Sequence, residues 1–137
     1  MKHLTETYGI KDIAFVDSLF AISKEKVESF LEELEKERMD VTWTCTIRCD
    51  TMSKSLLKRM KEAGCWRVRI GIESGNEEVL RFIKKGMSKE EIRRVVGWAD
   101  EVGLQPKAFF MLGHCPDTKE TMEETIRFAQ SIPLKDI

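Results

Sequence analysis

Polar and apolar residues alternate strictly in two stretches of the chain, residues 41–47 and residues 67–73. A period of two along β-branched and aromatic residues predicts strands with one buried face. Residues 13–16 and 107–112 are two further short apolar runs, and they predict the first and last strands. The pattern therefore predicts four strands, separated by segments that are long enough for helices.

Apolar residues at helical spacing fill those segments, and a capping residue precedes each one. The predicted N-caps are Ser23, Ser53, Asn76, Ser88 with Glu91 as a capping box, and either Asp117 or Thr118. Alternating strands and helices imply a parallel sheet with right-handed crossovers. A complete eight-stranded barrel needs about 250 residues. We therefore expect an α/β fold of one domain, residues 1–137, that forms a partial TIM-like (β/α) barrel of about four parallel strands with helices outside.

The composition, 42% hydrophobic and 34% charged with a net charge of −1, indicates a folded globular protein. It provides no basic field that would attract nucleic acid. No apolar run is long enough for a membrane span and no signal peptide is visible, so we expect a cytoplasmic protein with reduced thiols. A partial barrel leaves two strand edges, which makes a strand-paired homodimer a candidate assembly.

Cys45 and Cys49 form a C-x3-C pair that resembles a metal motif, but Met52 stands where a third close ligand would be needed. In the predicted strand their side chains are about 13 Å apart at about 3.3 Å per residue, too far for one metal or a disulfide. We expect both to be small buried residues. A site assembled in space with Cys65 or Cys115 stays open.

The alternation also predicts a polar lumen. In the second strand the polar face carries Thr42, Thr44, Thr46, Arg48 and Asp50, and in the third it carries Arg67, Arg69, Gly71 and Glu73. A lumen that served stability alone would be filled with branched apolar residues. A polar ligand is the preferred interpretation. The alternative is an internal Arg48–Glu73 or Arg69–Glu73 ion pair that only orders the sheet. The fourth strand has apolar residues on both faces, which leaves its direction open.

Glu73-Ser74-Gly75 ends the third strand, at the carboxyl edge where parallel sheets bind ligands. The Glu73 carboxylate suits a ribose diol or an amino group, and Ser74 offers a hydroxyl. Gly75 permits a turn with positive φ or a close backbone approach.

Four landmarks together carry a family resemblance. They are residues 8–17, residues 43–50, residues 63–75 with Val79-Leu80 and Lys84-Lys85-Gly86, and residues 110–113 with Asp117-Thr118. Their order and spacing resemble the radical S-adenosylmethionine (SAM) superfamily, above all the group whose members often carry a cobalamin-binding domain ahead of the barrel. The resemblance covers roughly residues 8–133.

The resemblance implies an enzyme, an oxidoreductase or transferase, that cleaves SAM reductively at a [4Fe-4S] cluster to start radical chemistry. Cobalamin is a further candidate cofactor. The family holds its cluster in a C-x3-C-x2-C loop after the first strand, and this sequence has no such motif. We therefore expect a fragment with strands two to five of a six-stranded partial barrel, which is inactive alone.

The resemblance also implies roles for single residues. Asp17 corresponds to a contact with the methionyl amino group, although Ser18 stands where a second acid is common. Arg48 faces the cofactor, Glu73 with its neighbour Ser74 contacts the ribose or the methionyl part, and Lys85 approaches the methionyl carboxylate. Asp17 as a plain strand-end acid and Lys85 as a helix-end cation are the alternatives.

Gly113 begins the segment that corresponds to a backbone platform for adenine. Its sequence, Gly-His-Cys-Pro-Asp-Thr, departs from the family's Gly-x-Pro-Gly-Glu-Thr. The alternative functions are a non-catalytic α/β binding or assembly domain and another barrel enzyme with a phosphate ligand, for which residues 113–118 would be a poor phosphate loop.

Overall fold

Strands and helices alternate along the chain. The structure, a computed structural model, describes residues 1–17, 20 and 23–137, so Ser18 lies outside the described residues. The strands are β1 (Asp12–Ala14), β2 (Thr42–Ile47), β3 (Cys65–Glu73) and β4 (Gln105–Phe110). The helices are α1 (Lys2–Tyr8), α2 (Lys24–Glu37), α3 (Lys54–Glu62), α4 (Glu77–Phe82), α5 (Lys89–Glu101) and α6 (Lys119–Gln130), with a 3-10 turn at Cys49–Thr51.

The four strands form one parallel sheet in the order β1-β2-β3-β4. This arrangement confirms the predicted fold, because consecutive parallel strands joined by helices are the unit of a partial TIM-like barrel. The register of β3 against β4 shifts between Gly71 and Glu73. The irregularity lies at the carboxyl edge of the sheet, where ligands bind in such folds.

Local signals determine where the helices begin. The side chains of Ser23, Ser53, Asn76, Ser88 and Thr118 each accept a backbone N–H bond in the first turn of the helix that follows. Ser88 and Glu91 form the predicted capping box, and Thr118 rather than Asp117 caps α6. Each cap satisfies an otherwise unpaired donor and stabilises its helix by about 1 kcal/mol.

The apolar face of the sheet packs under the helices. Trp43, Cys45, Val68, Ile70 and Ile72 are each 0% exposed, and the predicted inward positions of α2, α3 and α5 pack against them. On β4, Ala108 is buried whereas Lys107 and Phe109 lie on the opposite face, which settles the direction that the sequence left open. The polar face predicted for β2 and β3 is therefore the lumen face.

Several predicted element bounds were wrong. Helix α1 was not predicted, because it buries none of its residues and so has no apolar periodicity. Strand β1 covers Asp12–Ala14 rather than 13–16, and β4 ends at Phe110 rather than at 112. Strand β2 ends at Ile47, so Cys49 and Asp50 lie in the 3-10 turn and not in the strand.

The chain end lies along the free edge of β4. The Lys135 amide donates to the Pro106 carbonyl at 2.9 Å, and the Ala108 amide donates to the Asp136 carbonyl at 3.2 Å. These bonds follow the parallel bridge between Lys107 and Asp136. Part of the edge that the sequence leaves open for a dimer is thus paired within the chain. Within the described ranges, no helix has the length and hydropathy to cross a membrane.

Candidate functional site

Glu73 ends β3 in an unusual backbone conformation, with φ of 73°. Residues with a Cβ adopt this left-handed region rarely, at a cost of about 1–2 kcal/mol. The Glu73 carbonyl accepts the Met111 amide at 2.9 Å, which ties the residue to the segment after β4. Surrounding bonds thus hold Glu73 in a strained state, and such strain is concentrated at functional sites.

Glu73 Oε1 accepts from the Lys85 ammonium at 3.0 Å. The side chains are 27% and 24% exposed, so the pair is shielded yet open to a ligand. A Cβ on Gly71 would lie 2.7 Å from Glu73 Oε1 and 3.2 Å from Lys85 Nζ. The gap that the sequence places at Gly71 is therefore what lets the pair lie across the strand.

Arg48 lies just beyond β2 and pairs with Asp50 in a two-pronged contact. Its Nε and Nη2 donate to the two carboxylate oxygens at 2.9 and 2.7 Å. The hydrogen bond from Arg48 lowers the pKa of Asp50 below its ordinary value, and the same contact raises the pKa of Arg48. Both side chains are 38% exposed, which leaves the guanidinium accessible from the lumen.

A cavity of about 420 Å³ with mixed polar and apolar walls joins these groups at the carboxyl ends of the strands. Its lining consists of Thr46, Ile47, Arg48, Gly71, Glu73, Lys85, Met87 and Phe109. The volume falls within the range of about 300–1,000 Å³ typical of small-molecule sites. Of the predicted site residues, the structure brings Arg48, Glu73 and Lys85 together here. Met87, in the loop before α5, and Phe109, on β4, also line the cavity. The sequence did not predict them as site residues, because apolar residues are typical of the core.

Ser74 does not reach this cavity. It is 1% exposed, and its hydroxyl lies 3.1 Å from the Thr125 hydroxyl of α6 and accepts the Asn76 amide at 3.1 Å. A Cβ on neighbouring Gly75 would lie 2.6 Å from Phe128 Cβ. Gly75 therefore permits the close approach of α6, while Glu73 has the positive φ. The alternation along β3 places the Glu73 side chain on the lumen face, and Ser74, the next residue, faces α6.

Asp17 and Gly113 also lie outside the cavity lining. Asp17 is exposed beyond the end of β1. Gly113 has φ of 91°, and its amide and the His114 amide donate to one Asp117 oxygen at 2.9 and 2.8 Å. Burial alone would raise the pKa of Asp117, but bonds from Thr121, His114 and Gly113 lower it below its ordinary value. These amides are bonded within their own loop, which makes the segment a poor phosphate loop.

Neither ion pair that the sequence offered as an alternative is present. Glu73 pairs with Lys85, Arg48 pairs with Asp50, and the Arg69 guanidinium donates to the Phe15 carbonyl. Glu73 and the two arginines offered as its partners thus each bond to a different group. The carboxylate at the end of β3 remains at the cavity surface.

Three of the four cysteines are buried and Cys115 is exposed. Burial raises the pKa of Cys49 to about 12, and a hydrogen bond with Cys65, together with burial, raises that of Cys45. Cys45 and Cys49 are core residues, as predicted, although Cys49 lies in the 3-10 turn and not in the strand that the spacing argument assumed. In the part of the chain that the structure describes, no three His, Cys, Asp or Glu side chains are grouped as metal ligands.

The family model for the Radical SAM superfamily matches residues 1–129. A Pyrococcus horikoshii protein named as an uncharacterized methyltransferase is 35% identical over 127 residues, which are 93% of this chain and 28% of that protein. The anaerobic magnesium-protoporphyrin IX monomethyl ester cyclase of Rubrivivax gelatinosus is 26% identical over 129 residues, covering 93% of this chain and 23% of the cyclase.

A solved structure has the same fold. The radical S-adenosylmethionine methyltransferase TsrM of Kitasatospora setae, with cobalamin and a [4Fe-4S] cluster bound, superposes with a TM-score of 0.80 at 19% identity. The match covers 95% of this chain and 25% of TsrM. The chain thus spans about a quarter of the length of these relatives.

Proposed function

The chain belongs to the radical SAM superfamily, as its motifs predict, and from that premise we propose that it forms part of the SAM-binding barrel of an enzyme that cleaves SAM at a [4Fe-4S] cluster. The family match supports this reaction. One observation of the structure carries the site: the Glu73 carboxylate, on a residue with a strained backbone, pairs with Lys85 in a cavity at the carboxyl ends of the strands.

The residues of the cavity fit the polar groups of SAM. Lys85 has three donors and uses one on Glu73, so it can bind the methionyl carboxylate with the help of Arg48. The second oxygen of Glu73 can accept from the ribose diol or from the amino group. We keep Arg48, Glu73 and Lys85 as the proposed cofactor residues. Asp17 and Gly113 are secondary proposals, and Ser74 is proposed to position α6 and the turn after Glu73.

The described residues do not fit the cluster, since they group no three ligands for it. We propose that the cluster is held by other sequence of the natural protein, and that this chain alone does not cleave SAM. Cobalamin is a proposed further cofactor, supported by the fold shared with the cobalamin-bound TsrM. The name of the 35% identical relative supports a transferase rather than an oxidoreductase.

The test uses the complete natural protein with its iron–sulfur cluster reconstituted without oxygen. Incubated with SAM and dithionite, it should release methionine with 5′-deoxyadenosine, or S-adenosylhomocysteine if it transfers methyl groups. The Glu73→Ala variant should consume SAM at least about tenfold more slowly, because a charged hydrogen bond is worth about 1.5–3 kcal/mol. Glu78→Ala is the control, since Glu78 is 83% exposed on α4. Equal rates in the wild type and Glu73→Ala would refute the site.

A further inference from the structure

The lumen face below the proposed cofactor cavity carries a cluster of positive charge. Arg67 and Arg69 lie on β3, and Lys107 is the register partner of Arg69 on β4. The Asp136 carboxylate pairs with both Arg67, at 3.4 Å, and Lys107, at 2.9 Å. Among these four groups three cations thus lie against one carboxylate. The Asp12 carboxylate of β1 lies on the same face, but it accepts from Thr42 and Trp66.

Arg69 is the cation of this cluster that has no carboxylate partner among the described residues. Its guanidinium donates to the Phe15 carbonyl, and its buried Nε–H has no partner within the residues that the structure describes. The residues outside the described ranges, 18, 19, 21 and 22, carry no charge in the sequence. A shielded charge without a counter-charge is costly, and a guanidinium has five donors arranged to fit an oxyanion.

Arg69 lies at the floor of the same lumen. Its register partner on β2 is Thr46, which lines the cavity that holds Glu73 and Lys85. Arg69 is four residues before Glu73, about 13 Å along the strand at about 3.3 Å per residue. An anion bound there would lie beneath the cofactor rather than in its place.

We propose that the Arg69 guanidinium, with Lys107 beside it, binds a carboxylate or phosphate group of the substrate. That the ligand is a substrate rests on the proposed function, whereas the oxyanion site rests on this cluster alone. Carboxylate and phosphate share the chemistry that a guanidinium recognises, namely paired anionic oxygens. The enzyme therefore acts on an anionic substrate whose charged end lies on the floor of the barrel.

The direct test is NMR of the arginine Nε–H signals of this chain, with Arg69 assigned through its own side-chain correlations. Inorganic phosphate and acetate are titrated separately against chloride at matched ionic strength. We expect a saturable shift of the Arg69 signal with phosphate, with acetate or with both. The anion that produces the shift, called the active anion below, shows whether the site prefers a phosphate or a carboxylate group. Arg127, which is 66% exposed on α6, is the internal control and should not shift in the same way.

The proposal is overturned if Arg69 does not shift, or if every arginine signal shifts in parallel with chloride. A second measurement uses melting temperature: the active anion should stabilise the wild type and Arg127→Gln more than Arg69→Gln. Equal stabilisation of all three would also overturn the proposal. Because neither measurement involves SAM, failure of the proposed function would be seen separately, as absent SAM cleavage. A tenfold loss of S-adenosylhomocysteine affinity in Arg69→Gln would place Arg69 on the cofactor and overturn the proposal.

Discussion

Backbone strain at Glu73 can be separated from the ion pair that Glu73 forms with Lys85. Both Glu73→Gly and Glu73→Ala remove the carboxylate, which is 3.0 Å from the Lys85 ammonium. The two variants therefore lose the pair equally. They differ in how well each residue tolerates the φ of 73° at this position. Their stability difference thus reports the strain at this position, less the extra conformational freedom that glycine loses on folding.

The expected difference favours glycine. Alanine keeps the left-handed cost of about 1–2 kcal/mol, which glycine avoids. Glycine loses about 0.5–1 kcal/mol more conformational freedom on folding. The net result is a Glu73→Gly variant about 0.5–1 kcal/mol more stable than Glu73→Ala, or about 2–5 °C in melting temperature for a domain of this size.

Urea unfolding of the two variants, with the slopes compared, measures this difference. Glu78 on α4 is the matched control, since there the order should reverse: glycine inside a helix is about 1 kcal/mol worse than alanine. Alanine and glycine of equal stability at position 73, or alanine ahead, would refute the strain. Both variants should still bind S-adenosylhomocysteine more weakly than the wild type does.

Three further predictions follow from individual contacts. Gly75→Ala should lose about 1–3 kcal/mol of unfolding free energy, because its Cβ would lie 2.6 Å from an α6 side chain. Gly97→Ala is the control, since Gly97 has open space on a helix, and it should gain about 1 kcal/mol. Equal urea midpoints for the two variants would contradict this prediction. At neutral pH a thiol reagent should label one fast cysteine, lost in Cys115→Ser, and a second fast thiol would contradict the buried core assignment. The hydrogen bond from Lys107 lowers the pKa of Asp136, so the stabilisation from this ion pair is present above the unfolded pKa of about 3.9 and is lost as the pH falls through the lower folded pKa. Asp136→Asn should make the free energy of unfolding in urea less sensitive to acid. An unchanged dependence of that free energy on pH would contradict the prediction.

Local chemistry explains what the sequence predicts correctly. Helix caps and alternating strands depend on residues a few positions apart, so Ser53 and Ser88 mark helix starts without knowledge of the fold. The lumen face of β3 is predicted for the same reason, since a period of two separates Arg69 and Glu73 from the buried isoleucines. Helix α1 has no buried face, and periodicity gives no signal for it.

Where the prediction of the site differs from the structure, the observed contacts join residues that are distant in sequence. Ser74 was expected in the site, but it bonds with Thr125 across 51 positions. The sequence indicates Gly75 as the residue with a positive φ, because glutamate rarely adopts that conformation. In the structure the positive φ is at Glu73. The sequence offered an arginine as the alternative ion-pair partner of Glu73, whereas Lys85 reaches it from the loop after α4. Sequence spacing does not indicate which of several cations lies nearest.

The most direct test of the central claim is calorimetry with S-adenosylhomocysteine on the complete natural protein. The wild type and Glu78→Ala should bind with the same affinity. Glu73→Ala should bind at least about tenfold more weakly, because Lys85 loses its partner and the cofactor loses a charged acceptor. Equal affinity in Glu73→Ala and the wild type would contradict the assignment of this cavity to SAM.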